Sequence, residues 1–353
     1  MKLKKSTLML ITCIGILSII YIVFAARPLA HELQMTPAWT INIQQPIEPA
    51  DGKQLLPYKL GQIMGYFTED GRIVSSITFP YKATITNSFF TQYSGDATTI
   101  PFYATDGSQA GTIKQSGFPF FSKDQIYQFL PGGSSFMQCN EDGSEKWRYE
   151  NISPITAFSS SDAGCAAGFA DGTLIAFDHD GNILQEFSPG GSDYSIILGA
   201  ALSPDGQYIA CISGLHHQRV VLAKRGEQHS VISFFKYFDT DQTSQVLVKF
   251  SQDSSILYYN YPGGLGIVHC DTGRTREFPI KGWISAIEES PADGTAYVLS
   301  HEGSDYTVSV LESSDDLLGA FSFTASSAFI LTNDDSLFVG KDMQISRLAL
   351  TKN

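Results

Sequence analysis

An all-β fold is what the sequence predicts, and three observations predict it. From about Leu60 onward the chain is a series of short β-like runs broken by Gly- and Asp-rich turns. Those turns recur in pairs, so that strand, tight turn, strand, turn, strand repeats with a period of about 40 residues. No long segment with a helical apolar period interrupts the series. Together these are the signature of β-propeller blades. A single propeller is expected over residues 57–353, preceded by an N-terminal segment (1–26) and a linker with an opening strand (27–56).

The N-terminal segment sets the expected location. Lys2, Lys4 and Lys5 precede residues 7–26, a run of 20 without a charged side chain. As a helix that run is about 30 Å long, enough to cross a bilayer. The lysines favour a cytoplasmic N-terminus, which places the rest outside the cytoplasm, periplasmic or extracellular. The run exceeds a signal-peptide core of about 7–15 residues, which favours a retained anchor. Cleavage after Val23-Phe24-Ala25, releasing the protein to the periplasm, is the alternative.

In the linker, residues 39–43 alternate like a strand, and Pro46, Pro49, Asp51-Gly52 and Pro57 then punctuate a loop. Eight turns of one kind follow, from Glu69-Asp70-Gly71 through Pro131-Gly132-Gly133, Ala170-Asp171-Gly172 and Leu215-His216-His217 to Asn333-Asp334-Asp335. A second kind trails several of them by about ten residues, as at Thr105-Asp106-Gly107 and Glu141-Asp142-Gly143. Asp-Gly pairs supply the positive φ that tight hairpins need. Four strands each are expected across 152–187, 196–235, 246–280 and 283–321. The last blade is expected to combine 328–331, 337–340 and 345–348 with the opening strand 39–43, which closes the ring and removes an exposed edge. The 26 residues from Asp70 to Asp96 are too few for a full blade, so seven blades are expected, with eight also compatible.

The formal charge is −13, and because Lys2, Lys4 and Lys5 are the only charges before Arg27, the remainder carries −16. An acidic body of this size excludes nucleic-acid binding by bulk charge and disfavours docking on anionic lipid through the propeller. Cys139, Cys165, Cys211 and Cys270 each fall inside a strand-like run, so they read as buried thiols, with Cys139–Cys165 the one bridge to consider.

Residues Ser203-Pro204-Asp205-Gly206-Gln207-Tyr208-Ile209-Ala210 resemble the repeated turn of WD-repeat and TolB-type propellers. Residues 139–147, with Asp142-Gly143 and Trp147 four positions after the glycine, resemble the blade motif of quinoprotein-like propellers, and 174–184 are similar without the Trp. The resemblance implies a propeller. Its quinoprotein branch would imply pyrroloquinoline quinone and calcium. This chain departs from that branch in its length, its three tryptophans and its lack of an adjacent cysteine pair, so no cofactor is expected and Trp147 is read as a wedge between blades.

Candidate site residues are few. Asp178, Asp180 and Asn182 offer oxygens at alternate positions, as calcium loops do, but lack the late bidentate Glu; an Asp-rich β-turn is the simpler reading. His216-His217 is the one His pair, without visible partners for zinc. Phe234, Phe235, Tyr237 and Phe238 form an aromatic run that serves either as binding anchors or as packing between blades. No nucleophile elbow, phosphate loop or dinucleotide fingerprint is present. The expectation is a non-catalytic, membrane-tethered, monomeric propeller outside the cytoplasm that scaffolds an envelope or membrane protein. By resemblance, bacterial envelope propellers often serve in assembly complexes. A propeller hydrolase or lyase using channel carboxylates, or a small-molecule or calcium sensor, is the alternative.

Overall fold

Short strands with two apolar faces must be covered on both sides, and a ring of radial sheets does this for every strand at once. A computed structural model describes residues 33–227, 229–312 and 316–352 of the protein. The expected anchor or signal peptide in residues 1–26 lies outside the described residues. Among those described there is no helix long and apolar enough to cross a membrane.

The described residues form 31 strands in eight antiparallel sheets, one per blade. β1 (Leu33–Asn42) leads the chain. Blade 1 holds β2 (Leu55–Leu60), β3 (Ile63–Thr68) and β4 (Ile73–Thr78). Blade 2 holds β5 (Lys82–Ile85), β6 (Phe89–Tyr93), β7 (Ile100–Ala104) and β8 (Gln109–Ile113). Blade 3 holds β9 (Phe118–Ser122), β10 (Gln125–Phe129), β11 (Ser135–Cys139) and β12 (Glu145–Glu150). Blade 4 holds β13 (Ile155–Ser161), β14 (Gly164–Phe169), β15 (Leu174–Phe177) and β16 (Ile183–Phe187). Blade 5 holds β17 (Tyr194–Leu202), β18 (Tyr208–Leu215), β19 (Arg219–Lys224) and β20 (Val231–Tyr237). Blade 6 holds β21 (Val248–Phe250), β22 (Ile256–Tyr261), β23 (Gly264–His269) and β24 (Thr275–Pro279). Blade 7 holds β25 (Trp283–Glu289), β26 (Ala296–Glu302), β27 (Asp305–Glu312) and β28 (Asp316–Thr324). Blade 8 joins β29 (Ala328–Asn333), β30 (Ser336–Lys341) and β31 (Gln344–Lys352) to β1, which pairs antiparallel with β31.

Eight blades correct the expectation of seven. The turn at Asp70 and the turn at Asp96 are not equivalent, so the short interval between them is not a blade period. Trp39 on β1 donates from Nε1 to the Glu69 carbonyl at 3.1 Å, and its ring lies against Gly71. Trp147 on β12 repeats the contact on the His179 carbonyl at 3.1 Å, with Gly181 beneath the ring. In blade 4 this receiving turn joins the third and fourth strands. Blade 1 therefore has second, third and fourth strands and lacks the first. The residues that would have supplied it, 43–54, carry Pro46, Pro49 and Asp51-Gly52 and are largely exposed.

One apolar cluster fills each of the eight blade boundaries. Between blades 4 and 5 it includes Leu174, Ile197, Ile209 and Val221; between blades 5 and 6, Ile212, Leu222, Leu257 and Val268. Burying one such side chain contributes roughly 1.5–3 kcal/mol. Cys139, on blade 3, faces blade 2, and Cys165, on blade 4, faces blade 3, so the sheet of blade 3 stands between them and all four described cysteines are free and buried.

The hairpin acids also have structural work. Asp106, Asp142, Asp171, Asp205, Asp253 and Asp293 each accept the N–H two residues on, at 2.8–3.1 Å. A carboxylate that accepts a backbone N–H closes its own turn, which gives these six of the 36 acidic residues a structural role without invoking a partner.

Candidate functional site

The turns between second and third strands share one face of the ring with the connections between blades; call it the connector face. The turns between first and second strands lie on the opposite, axial-mouth face. Each face carries one feature of note.

On the connector face, blade 5 builds an aromatic corner. Residues 216–218 join β18 to β19, and His216 and His217 among them have positive φ (52° and 61°). Positive φ is normally taken by Gly or Asn, so two histidines cost about 1 kcal/mol each in backbone strain. The turn is clamped from the side. Asp241 accepts from the backbone N–H of His216 at 2.6 Å and of Gln218 at 3.3 Å. Gln218, fully buried, donates to the carbonyls of Gly214 and Gln242, both at 2.9 Å. Ser192 donates to the His217 carbonyl at 2.8 Å.

Beneath the turn lies Arg219, only 7% exposed. Its Nη2 donates to the carbonyls of Pro189 and Gly190 at 2.8 Å each, and its Nε is buried with no partner. The guanidinium stands 5.1 Å from the ring centre of Phe235 and 5.4 Å from that of Tyr237. It forms no ion pair among the described residues. Its Nη1 also donates to the Tyr237 hydroxyl at 3.4 Å. A buried cation held by carbonyl dipoles, one hydroxyl and ring faces is expensive to maintain, and it fixes the rings it touches. Those rings are open to solvent: Phe235 is 51% exposed, Tyr237 44% and Tyr194 62%. His216 packs on Tyr194 at 5.3 Å and His217 meets Tyr237 edge-on at 6.5 Å.

The structure thus brings together four of the expected residues, His216, His217, Phe235 and Tyr237. Phe234 and Phe238 do not join them. They alternate to the other side of β20, where both pack into the core between blades 5 and 6 and Phe238 stacks on Tyr259. Arg219, Tyr194 and Asp241 were missed. The available signal was a charged residue opening the apolar run Arg219-Val220-Val221-Leu222-Ala223.

On the axial-mouth face, the innermost strands of blades 3 to 7 surround a basin of about 590 Å³. Ser159, Ser160 and Ser161 form part of its wall, with Lys123, Asp162, His179, Lys249 and Glu288. Four of its charges are matched in place, Lys123 with Asp162 and Lys249 with Glu288 at 3.6 Å, and Asp124 lines it as well. No hydrogen bond joins a wall serine to His179 among the described residues; the ring Nε2 is engaged by the Asp162 carbonyl at 2.9 Å. Beside the basin, burial raises Glu289 above the usual carboxylate range, although it accepts from the Gln252 N–H at 2.7 Å.

The candidate calcium turn does not have free ligands. Asp178 accepts from the backbone N–H of Asp180 and Asn182 and from the Asn182 side chain, at 2.8–2.9 Å. Asp180 turns outward to Lys146 at 3.3 Å. Among the described residues no three His, Cys, Asp or Glu side chains converge. The donor set that a quinone-associated calcium would need is therefore not assembled at this turn.

Comparison with known proteins agrees with the architecture. An uncharacterized protein of Treponema pallidum (strain Nichols) is 27% identical over 99% of this chain and 95% of its own length. Among solved structures, BamB from Moraxella catarrhalis superposes with a TM-score of 0.60 at 12% identity, covering 89% of this chain and 99% of that one. Sqt1 of Saccharomyces cerevisiae gives 0.60 at 12% identity over 86% and 94%. At these identities the two structures show a shared fold. The family model for beta-propeller proteins matches residues 1–353, the entire chain, and the protein belongs to that family.

Proposed function

We propose that this protein is a non-catalytic docking platform, tethered to the membrane by residues 7–26 and displayed outside the cytoplasm, that holds an envelope or membrane protein through the aromatic corner of blade 5. The observation that carries the reading is the corner itself. Two exposed rings, Phe235 and Tyr237, pack on a buried, carboxylate-free Arg219, a third, Tyr194, packs on His216, and a strained His-His turn tops them. Structures keep strain and buried unpaired charge where function requires them, and rigid exposed aromatics are good interface anchors. The ion pairs that occupy both lysines of the axial basin favour this reading over hydrolysis there.

The tether gives the platform an orientation. β1 begins at Leu33, opposite Lys352 at the end of β31, on the axial-mouth side of blade 8. Six residues, 27–32, separate it from the apolar run. The axial mouth then faces the bilayer and the blade 5 corner faces away from it. The test is mild crosslinking of the tagged full-length protein in its own cell, gentle detergent extraction, and mass spectrometry. The expected result is a reproducible envelope or membrane partner that is lost on His217→Ala with Tyr194→Ala. A protein extracted alone would overturn the platform.

A further inference from the structure

Every blade ends in an outermost strand with no strand beyond it among the described residues, and such edges invite strand addition unless charge, proline or brevity blunts them. Three of the eight are blunted by charge or proline. β12 carries Glu145, Lys146, Arg148 and Glu150, β24 carries Arg276, Glu277 and Pro279, and β1 bends at Pro37. β20 is different. Its sequence, Val231-Ile232-Ser233-Phe234-Phe235-Lys236-Tyr237, has no proline or glycine. Its one charge, Lys236, is turned toward blade 6 in an ion pair with Glu277 at 2.6 Å. Four of its side chains are exposed large apolar groups: Val231 at 63%, Ile232 at 39%, Phe235 and Tyr237. Across a groove of about 500 Å³ at the Ser230 end of β20, Ile183 on β16 is also half exposed.

We infer that β20 is a docking edge for an extended segment of a partner protein, apolar at alternate positions and basic at its ends. This rests on the platform reading and names the chemistry of its partner. Main-chain hydrogen bonds on either side of the bulge at Ser233 would supply the pairing, with Ile232, Phe235 and Ile183 the apolar contacts on one face and Val231 on the other. The charge of the partner follows from the surroundings. The body carries −16, and Glu186, Glu227 and Asp193 flank the strand against Arg225 and Lys224. That field steers a basic segment in and opposes a second copy of this chain.

The test uses the detergent-solubilised full chain and a fluorescent probe peptide, Lys-Lys-Val-Thr-Val-Thr-Val-Lys-Lys, read by anisotropy. Binding is expected to weaken at least tenfold for the same peptide with glutamate ends, for one with a central proline, and on Val231→Lys in a protein whose melting temperature is unchanged. A cysteine-bearing peptide should form a disulfide with Ser233→Cys on β20 and not with Ser322→Cys on β28. No binding, equal binding of the proline peptide, or equal crosslinking at both positions overturns the inference. A concentration-dependent dimer abolished by Val231→Lys overturns it in favour of a second copy. A cellular partner retained by Val231→Lys but lost with His217→Ala sinks the strand edge and leaves the platform standing, whereas absence of any partner sinks the platform itself.

Discussion

Trp147 closes the boundary between blades 3 and 4 by lying flat on Gly181, so close that a Cβ on that glycine would sit 2.8 Å from the indole. Gly181 also holds φ at +84°, which side chains avoid. Gly181→Ala is therefore expected to destabilise by about 2–4 kcal/mol, through strain and loss of the docked ring together. Trp147→Phe keeps most of the packing but loses the bonds to His179 and Gln138, and should cost about 1–2 kcal/mol. Urea unfolding of residues 27–353 reads both. A neutral Gly181→Ala would mean the Trp does not seal this boundary.

Arg219 gives a second expectation. Lys at this position keeps the charge but not the planar fork that reaches two carbonyls and stacks on two rings. Arg219→Lys should lower stability by about 1–3 kcal/mol and loosen Phe235 and Tyr237. Partner retention in the extraction experiment should fall with it. Full retention would place the contact elsewhere.

The His216-His217 turn predicts a trade of stability against function. Replacing the pair by Asn-Gly supplies residues that accept positive φ, and should raise stability by about 1 kcal/mol. The same change removes both imidazoles from the corner and should reduce partner capture. A variant that is stabilised yet captures normally would show the histidines to be incidental.

The turn carboxylates predict an acid limb. Hydrogen bonds from the side chain and backbone N–H of the serine two residues on hold Asp106 and Asp142 below the usual range. Burial pushes Asp253 up, but its bonds to Ser251 and Ser255 outweigh that and it too is lowered. A depressed folded pKa gives stability that is present above the unfolded value of about 3.9 and lost as pH falls through the folded one. Glu289 is shifted the other way, so its contribution is lost as pH rises from about 4.3 through its raised value. Several aspartates oppose one glutamate, and the melting temperature should rise from pH 2.5 to 5. Asp142→Asn still accepts the Ser144 N–H but cannot titrate, so its acid limb should be shallower. An unchanged limb would remove Asp142 from the account.

The thiols predict chemical silence. Burial pushes Cys139 and Cys270 up to about 12, with nearby carboxylates adding to the shift, and raises Cys165 and Cys211 further. None of the four should react with a thiol reagent in the folded fragment, and all four should after unfolding. Fast native labelling of any one would contradict its burial.

The architecture was legible because each blade repeats the same local chemistry. Alternating runs and Asp-Gly turns marked nearly every strand from β13 to β31, and the alternation at 39–43 disclosed the strand that closes the ring. Blade 1 misled because equivalence of turns is a matter of which neighbour they touch, and Gly71 and Gly181 are recognisable as equivalents only once a Trp is seen lying on each. The corner was half legible. His216, His217, Phe235 and Tyr237 stood out by type, but Arg219 acts through β20 and the connection from blade 4, and Asp241 through a loop, juxtapositions that periodicity does not encode. Alternation along β20 explains why Phe234 and Phe238 parted from their neighbours.

Ring closure has a consequence for the order in which this molecule is made. Thr40 bonds Ser346 at 2.8 Å across 306 positions of sequence. β1 is made before every other described strand and must wait for β31, the last of them, before it has a partner. Until then two blades stand open, each offering an unprotected sheet edge. The final pairing is thus a checkpoint on completeness: a chain truncated before Gln344 would lack the strand that β1 requires, and would remain an open, adhesive arc.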